Sequence, residues 1–391
     1  MNRTRWMRAI AVALILPLLL TGCWDSREID ALFILTGTAL DVSDIPGHII
    51  VTLQVTNIKE VQSSSEGGGT DGGGPVIILR ADDDSLMDGI AQINRNSNHK
   101  LLYQHNQVRL FGTALAEQGI ERHLDSLLRE QQARLEVPLA VVDGRAEEAL
   151  TAKLSQDPNT GIFLRGMFQE QSKISSEYEV RLIDFVHRLL DESAAPVMPL
   201  IKVTSEGDKQ EIGITGMAIF KGDRMVGKLS NDETLGYIWS FGNVKRCNFK
   251  VTDSSNMAVL HITGLDCKRD VTLRQDGGVS VDLSIDAVVG IAELSGFQDM
   301  KPPELLEHLE NLAEEEIKAK IMRCFAVAKS LDADIFEFSS EVYQNHPQQW
   351  EAMKGRWDAI FSDIDLSVQA KVRIPETGQI VQSLEMEAGM R

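Results

Sequence analysis

The spacing of apolar residues changes period along the chain, and those changes mark its elements. Ile49, Val51, Leu53 and Val55 alternate with partners on the other face, the period-2 pattern of a strand with one buried side. An apolar segment from Leu32 to Asp41, broken by Gly37, precedes it, and Val76–Leu79 resumes a strand after a Ser/Gly-rich stretch over 63–75. That stretch has no Gly-Lys-Ser/Thr ending to hold a phosphate, so it reads as a flexible surface excursion. Helical spacing begins at Leu86, Ile90 and Ile93, with Asp82, Asp83 and Asp84 read as its N-terminal cap, a reading that needs no metal.

Short strands at Leu101–Tyr103, Gln107–Phe111 and Leu135–Val142 then alternate with helices. One helix carries Ile120, Leu124, Leu127 and Leu128 on a single face, and another spans Ala146–Leu154. Asp157 to Gly161 reads as a turn, and Ser176 with Glu179 reads as a capping box for a helix carrying Tyr178, Leu182, Phe185 and Leu189. The proline-rich Ala194–Pro199 ends this first part. Beyond it come strand-like runs at Ile212–Phe220, Arg224–Lys228, Cys247–Thr252, Ala258–Thr263, Val271–Gln275 and Val279–Val289, a pattern of antiparallel sheet. Pro302-Pro303 opens the longest helix, about 303–330, striped by Leu305, Leu309, Leu312, Ile317, Ile321, Phe325 and Ala328. Helical sequence through Trp350 and Trp357 leads to a last strand, Ile364–Ile374. The expected fold class is α+β: mixed and antiparallel sheets flanked by helices. The expected division is 1–22, an N-terminal α/β domain over 23–199, a mainly β region over 200–290 and an α+β region over 291–391.

The N-terminus follows a different logic. Arg3, Arg5 and Arg8 precede an apolar run from Ala9 to Leu20. A bilayer-spanning helix needs roughly 20 apolar residues, whereas a secretory signal needs about 7–15, so the run reads as a signal peptide. Leu20-Thr21-Gly22-Cys23 follows, the pattern at which bacterial lipoproteins are cut and their cysteine is joined to diacylglycerol. Each buried CH2 contributes about 0.8 kcal/mol, so a diacylglyceryl group on Cys23, bearing chains of the palmitate class, can hold a water-facing ectodomain on a membrane.

Charge narrows the classes further. Acids outnumber bases 58 to 39 for a net charge of −19, which loss of the three signal arginines takes to −22. So acidic a surface repels phosphates, which disfavours sequence-independent nucleic-acid binding, and no nucleic-acid partner is assigned. Apart from Cys23 the cysteines are Cys247, Cys267 and Cys324, with no ligand spacing for a metal. A Cys247–Cys267 bridge between neighbouring strands suits an oxidising compartment; two buried free thiols are the alternative. No Gly-x-Ser-x-Gly elbow or His-Glu-x-x-His motif occurs, so no catalytic residue, metal or cofactor is assigned.

At Gly22-Cys23-Trp24-Asp25-Ser26-Arg27-Glu28-Ile29 the sequence resembles the Ger(x)C family, the lipoprotein C subunits of bacterial spore germinant receptors. The run from Gly216 to Leu229, followed by Glu233, Gly236 and Trp239, is similar to a second block of that family. So are Leu124 to Arg129 with Arg134, and Trp357 to Ile374. The resemblance implies an elongated ectodomain of three α+β domains without catalytic activity, acting in nutrient-triggered germination. It would sit on the outer face of the spore inner membrane beside multi-spanning A and B type subunits. Trp24, Asp25, Arg27 and Glu28 then read either as a docking element next to the lipid or as ordinary fold and headgroup contacts. A solute-binding lipoprotein of a transport system shares the anchor and is the rival reading, although aromatic residues, which such clefts favour, make up only 6% of the chain.

Overall fold

Strand β1 (Leu32–Val42) lies at the centre of the first of two sheets, and its burial on both faces explains why its apolar run is nearly continuous. The computed structural model describes residue 6 and residues 32–57, 76–130, 134–191, 194–207, 209–242 and 244–375. The Ser/Gly-rich excursion over 63–75 falls outside these. On one side of β1 lie β2 (Ile49–Asn57), antiparallel to it, and β3 (Val76–Asp83), antiparallel to β2. On the other, β5 (Val108–Gly112), β6 (Leu139–Val142) and β7 (Val197–Glu206) continue in parallel, and β8 (Lys209–Lys221) and β9 (Arg224–Ser230) close the sheet as antiparallel hairpins. The three-residue β4 (Lys100–Leu102) pairs with β1 off this path.

Helices cover both faces. α1 (Leu86–Arg95), α2 (Thr113–Gln118), α3 (Glu121–Arg129) and α6 (Leu182–Leu190) pack on one side through Leu86, Leu115, Leu124 and Phe185; α4 (Ala146–Thr151) and α5 (Thr160–Ser172) pack on the other through Leu150, Leu164 and Phe168. Three local expectations are corrected. β3 runs on through Asp83 and the cap of α1 is Ser85, whose side chain accepts from Asp88 N, because Asp82 is engaged instead by Ser43 and His48. The turn at Asp157–Gly161 starts a helix: Asn159 caps α5 by accepting from Ile162 N. The box expected at Ser176 and Glu179 is absent, since Glu179 pairs with Arg165 and α6 starts at Leu182 behind the Arg181–Asp184 pair.

The strands of the middle region divide between two sheets. β7, β8 and β9 belong to the first, whereas β10 (Cys247–Asp253), β11 (Asn256–Leu273) and β12 (Val279–Ser295) form a second with β13 (Asp365–Arg373), in the order β10-β11-β12-β13. β11 is one long strand where the sequence suggested two. Between the sheets stands α7 (Asn231–Phe241), opened by a Ser230–Glu233 capping box. The second sheet buries one face under α8 (Pro302–Ser330), whose Leu305, Leu309, Ile317 and Ile321 supply the predicted stripe. α9 (Phe338–Asn345), α10 (Pro347–Met353) and α11 (Trp357–Ser362) complete the crossover to β13, which is parallel to β12.

Three cores meet on β8. Leu200 pairs with Gly216 and Ile201 with Ile214, so Thr215 is an extra residue in the ladder. The bulge keeps Ile212, Ile214, Met217 and Ile219 on one face although their parity changes. The first two pack with α4 and α5, and the last two with the core under α8. Ala218 and Phe220 point to the opposite face, into the core of α1, α3 and α6.

Candidate functional site

Cys23, Trp24, Asp25, Arg27 and Glu28 lie outside the described residues. The proposed Cys247–Cys267 bridge is not formed: both are free thiols. Register gives the reason. Cys247 faces Ile262 on β11, and Cys267 is five residues further along that strand, about 16 Å at the strand rise, where a disulfide needs Cα atoms about 4.4–6.8 Å apart. Burial pushes both thiols up to about 11, and pushes Cys324, at the α8–α7 contact, well above its usual value.

Among the described residues, one polar cluster stands at the seam between the two sheets. Arg188, in the last turn of α6, reaches across it. Its Nη2 lies 3.0 Å from Glu177 Oε2, its Nε 2.7 Å from Glu337 Oε1, and its Nη1 donates to Tyr237 Oη at 3.2 Å. Tyr237 in turn donates to Glu177 Oε2 at 2.9 Å. Arg188 and Glu177 come from the first part of the chain, Tyr237 and Glu337 from the second. Glu337 takes a left-handed backbone conformation, φ 57°, that turns the chain into α9.

The electrostatics of this cluster are those of a clamp. Burial disfavours the Arg188 cation, but Tyr237, Glu177 and Glu337 outweigh it and raise its pKa, so it stays charged. Burial is also the main reason the Tyr237 hydroxyl is raised well above its ordinary value; it is a neutral donor here. Next to the clamp Ser340 Oγ donates to Asp191 Oδ2 at 3.1 Å, and Arg269 pairs with Glu341, lies over the rings of Phe241 and Phe338, and donates to the Phe336 carbonyl.

Outside the clamp opens a cleft of about 780 Å³ whose further lining includes Glu136, Arg165, Glu179, Arg181 and Asp184. Its arginines are already matched: Arg165 with Glu179 at 3.0 Å, Arg181 with Asp184 at 2.6 Å. A ligand entering would have to break those pairs, and the cleft offers little apolar wall to repay the loss. The arrangement holds two folded units together; it does not pair a nucleophile with a base.

A second junction lies between α7 and α8. Gly236 lets the helices touch, since a Cβ there would stand 2.2 Å from the Lys320 carbonyl oxygen. Lys320, nearly buried, is held between Asp232 at 2.5 Å and Glu316 at 3.1 Å. Asp83, Asp84 and Asp88 bring three carboxylates within 4.8 Å of one another on the surface near α1, a group of a kind that is common without an ion.

Sequence reasoning assigned no role to Glu177, Arg188, Tyr237 or Glu337. Each is an ordinary residue in its own segment, and only the docking of α6 against α7 and the 332–337 loop makes them one group. The signal within reach was Gly236 with Glu233 and Trp239, which does mark the α7 contact. Among the described residues, no helix is long and apolar enough to cross a membrane.

Comparison with known proteins gives this arrangement its context. Residues 25–203 match the family described as spore germination protein N-terminal domain, and residues 215–378 match spore germination B3/GerAC like, C-terminal. Among curated proteins, spore germination protein KC of Bacillus subtilis (strain 168) is 22% identical over 393 residues, covering 94% of this chain and 95% of that protein. Spore germination protein B3 of the same organism is 21% identical, with 95% and 98% covered. Spore germination protein GerQC of Bacillus cereus is 21% identical, with 74% and 79% covered. Among solved structures the crystal structure of the GerBC protein aligns with a TM-score of 0.56 at 20% identity, covering 86% of this chain and 96% of that one; it shares the fold.

Proposed function

The chain belongs to the spore germination GerAC family, and from that membership we propose that it is a non-catalytic, lipid-anchored C subunit of a nutrient germinant receptor. In this reading a diacylglyceryl group on Cys23 holds the ectodomain on the outer face of the membrane that becomes the spore inner membrane. The folded part scaffolds the multi-spanning A and B type subunits. The observation that carries the reading is the tandem match of both family halves across 25–203 and 215–378. The lipoprotein pattern at Leu20–Cys23 and the adjoining Trp24, Asp25, Arg27 and Glu28 support the anchor. The charge-matched cleft supports a structural part over a solute-binding one, because its arginines are already paired.

Replacing Cys23 by alanine tests it. The expected result is a folded protein that is lost from the membrane fraction and spores that no longer respond to nutrients. Normal retention and germination of spores carrying only that variant would overturn the anchor. Micromolar binding of amino acids or sugars by the isolated ectodomain in calorimetry would favour a solute-binding part instead.

A further inference from the structure

The two sheets have four edges, and three of them are guarded. On β13 the outward amides are taken by α8: Glu314 Oε1 accepts from Val372 N at 3.1 Å and Glu310 Oε1 from Ile374 N at 2.7 Å. β9 carries Arg224 and Lys228 at exposed positions, and β10 has the exposed Lys250 at its centre; charged side chains so placed discourage a further strand from pairing. β3 is different. Among the described residues it pairs only with β2, and Val76-Ile77-Ile78-Leu79 runs along it without a charge. Its first cation, Arg80, is drawn aside to Glu147 at 2.9 Å. Ile78 is 37% exposed, and Val76, Ile77 and Leu79 are half-buried, so both faces of this edge leave apolar surface uncovered. Ile162, also exposed, stands next to Gly161, whose N–H donates to the side chain of Gln54, the β2 partner of Ile78. An unpaired strand with uncovered apolar side chains is a template for another strand.

We propose that β3 pairs antiparallel with β3 of a second copy of this chain, about a two-fold axis at Ile78, joining the two first sheets into one. The order of side chains along the strand selects this occupant. In a two-fold contact the residue on the axis faces itself, and each neighbour meets the residue equally far along on the other side. With Ile78 on the axis, Ile77 meets Leu79 and Val76 meets Arg80. Every apolar residue then keeps its own face and lies against an apolar side chain or an aliphatic stem, and no like charges are opposed. The same operation centred on β10 sets Lys250 against its copy. The charge of −19 on the whole chain acts against association, but beyond about 8 Å it is screened at physiological salt, and no acid lies within the paired stretch 76–80. So short a strand pair falls below the about 1,200 Å² of a stable interface, so the contact is weak and its extent follows concentration. The inference is independent of the lipid anchor and survives its failure.

The test uses the purified full-length chain in detergent and reads amide hydrogen exchange and thiol cross-linking. Between about 10 μM and about 1 mM protein, exchange over residues 76–80 is expected to slow about fivefold or more, while exchange in β10 stays the same. Ile78→Cys, on the axis, is expected to form a disulfide with its copy at least about tenfold faster than Arg80→Cys, because the two copies of position 80 stand about 13 Å apart along the strands, beyond the reach of a disulfide. Mass spectrometry of the linked peptides separates these products from any linkage through Cys23. Ile78→Lys, which sets like charges on the axis from an exposed position, is expected to remove the concentration dependence and to leave the melting temperature of the dilute protein unchanged. Exchange over residues 76–80 that is the same at both concentrations overturns the proposal: uniformly slow exchange assigns the edge to another segment of the same chain, such as residues 58–75, and uniformly fast exchange leaves it unpaired. Equal cross-linking at positions 78 and 80, or a concentration dependence that persists in Ile78→Lys, overturns it as well.

Discussion

Arg188 Nε stands 2.7 Å from Glu337 Oε1, and the two residues belong to different sheets' helical layers, so one ion pair spans the seam of the molecule. Arg188→Met keeps the volume and removes the cation, leaving Glu177, Glu337 and the Tyr237 hydroxyl facing one another. Breaking a largely buried pair from one side costs about 3–5 kcal/mol; because these side chains retain some solvent contact, about 2–4 kcal/mol is expected here. Urea unfolding measures it. Arg188→Met combined with Glu337→Gln should be less costly than the two losses added together, and strict additivity would show that the pair carries no coupling.

Asp334 predicts a pH dependence. Its carboxylate accepts from Phe338 N at 3.2 Å, Ser339 N at 2.9 Å and Trp357 Nε1 at 3.0 Å, tying the start of α9 to α11. Burial nevertheless pushes its pKa from 3.8 to about 6. The folded state thus keeps a proton that the unfolded chain has released, so this group's contribution to stability falls as pH rises from about 4 to about 6 and is level above that. In Asp334→Asn that component of the slope should vanish, on top of a loss of about 1–3 kcal/mol from setting an amide against backbone donors. Denaturation midpoints between pH 4 and 7.5 decide it; an unchanged slope would contradict the assignment.

Gly236→Ala tests the contact of α7 with α8. A Cβ 2.2 Å from the Lys320 carbonyl forces the helices apart, with an expected loss of about 1–3 kcal/mol despite alanine's better helix propensity. Gly355→Ala, where a Cβ would meet nothing within 4 Å, serves as the control and should be close to neutral.

The thiols make a further prediction. With Cys247 and Cys267 pushed up to about 11 and Cys324 fully buried, all three should react slowly with a maleimide at neutral pH and rapidly in denaturant. Non-reducing mass spectrometry should find no Cys247–Cys267 bridge.

Wherever apolar periodicity was long, the sequence disclosed the element. The stripe from Leu305 to Ala328 became α8, and Ile49 to Val55 became β2. Short elements governed by a single polar residue were misread. Ser85 rather than the aspartates caps α1, and Asn159 opens a helix where a turn was expected, because hydrogen-bonding partners from other segments decided among local candidates of equal merit. The long β11 was hidden for a related reason: Asp266, Lys268 and Asp270 stand on its solvent face, and only pairing with β12 makes strand of them. The seam cluster could not be read at all, since a pair such as Arg188 and Glu337 exists only once α6 meets the 332–337 loop. At the separate α7–α8 junction the sequence offered Gly236 only as a member of a family block; the structure shows that its missing side chain is the condition for close approach.

The bulge at Thr215 bears on how such a chain is inherited. The family's two halves are recognised over 25–203 and 215–378, and the gap between them falls at the β7–β8 hairpin, in the middle of a continuous sheet. A recombination there would strip Ala218, Phe220 and Met225 of the first-half core they pack into and leave β7 without its β8 neighbour. The two halves are therefore expected to travel through evolution as one heritable piece, exchanged whole or lost whole, even though they are recognised as separate families.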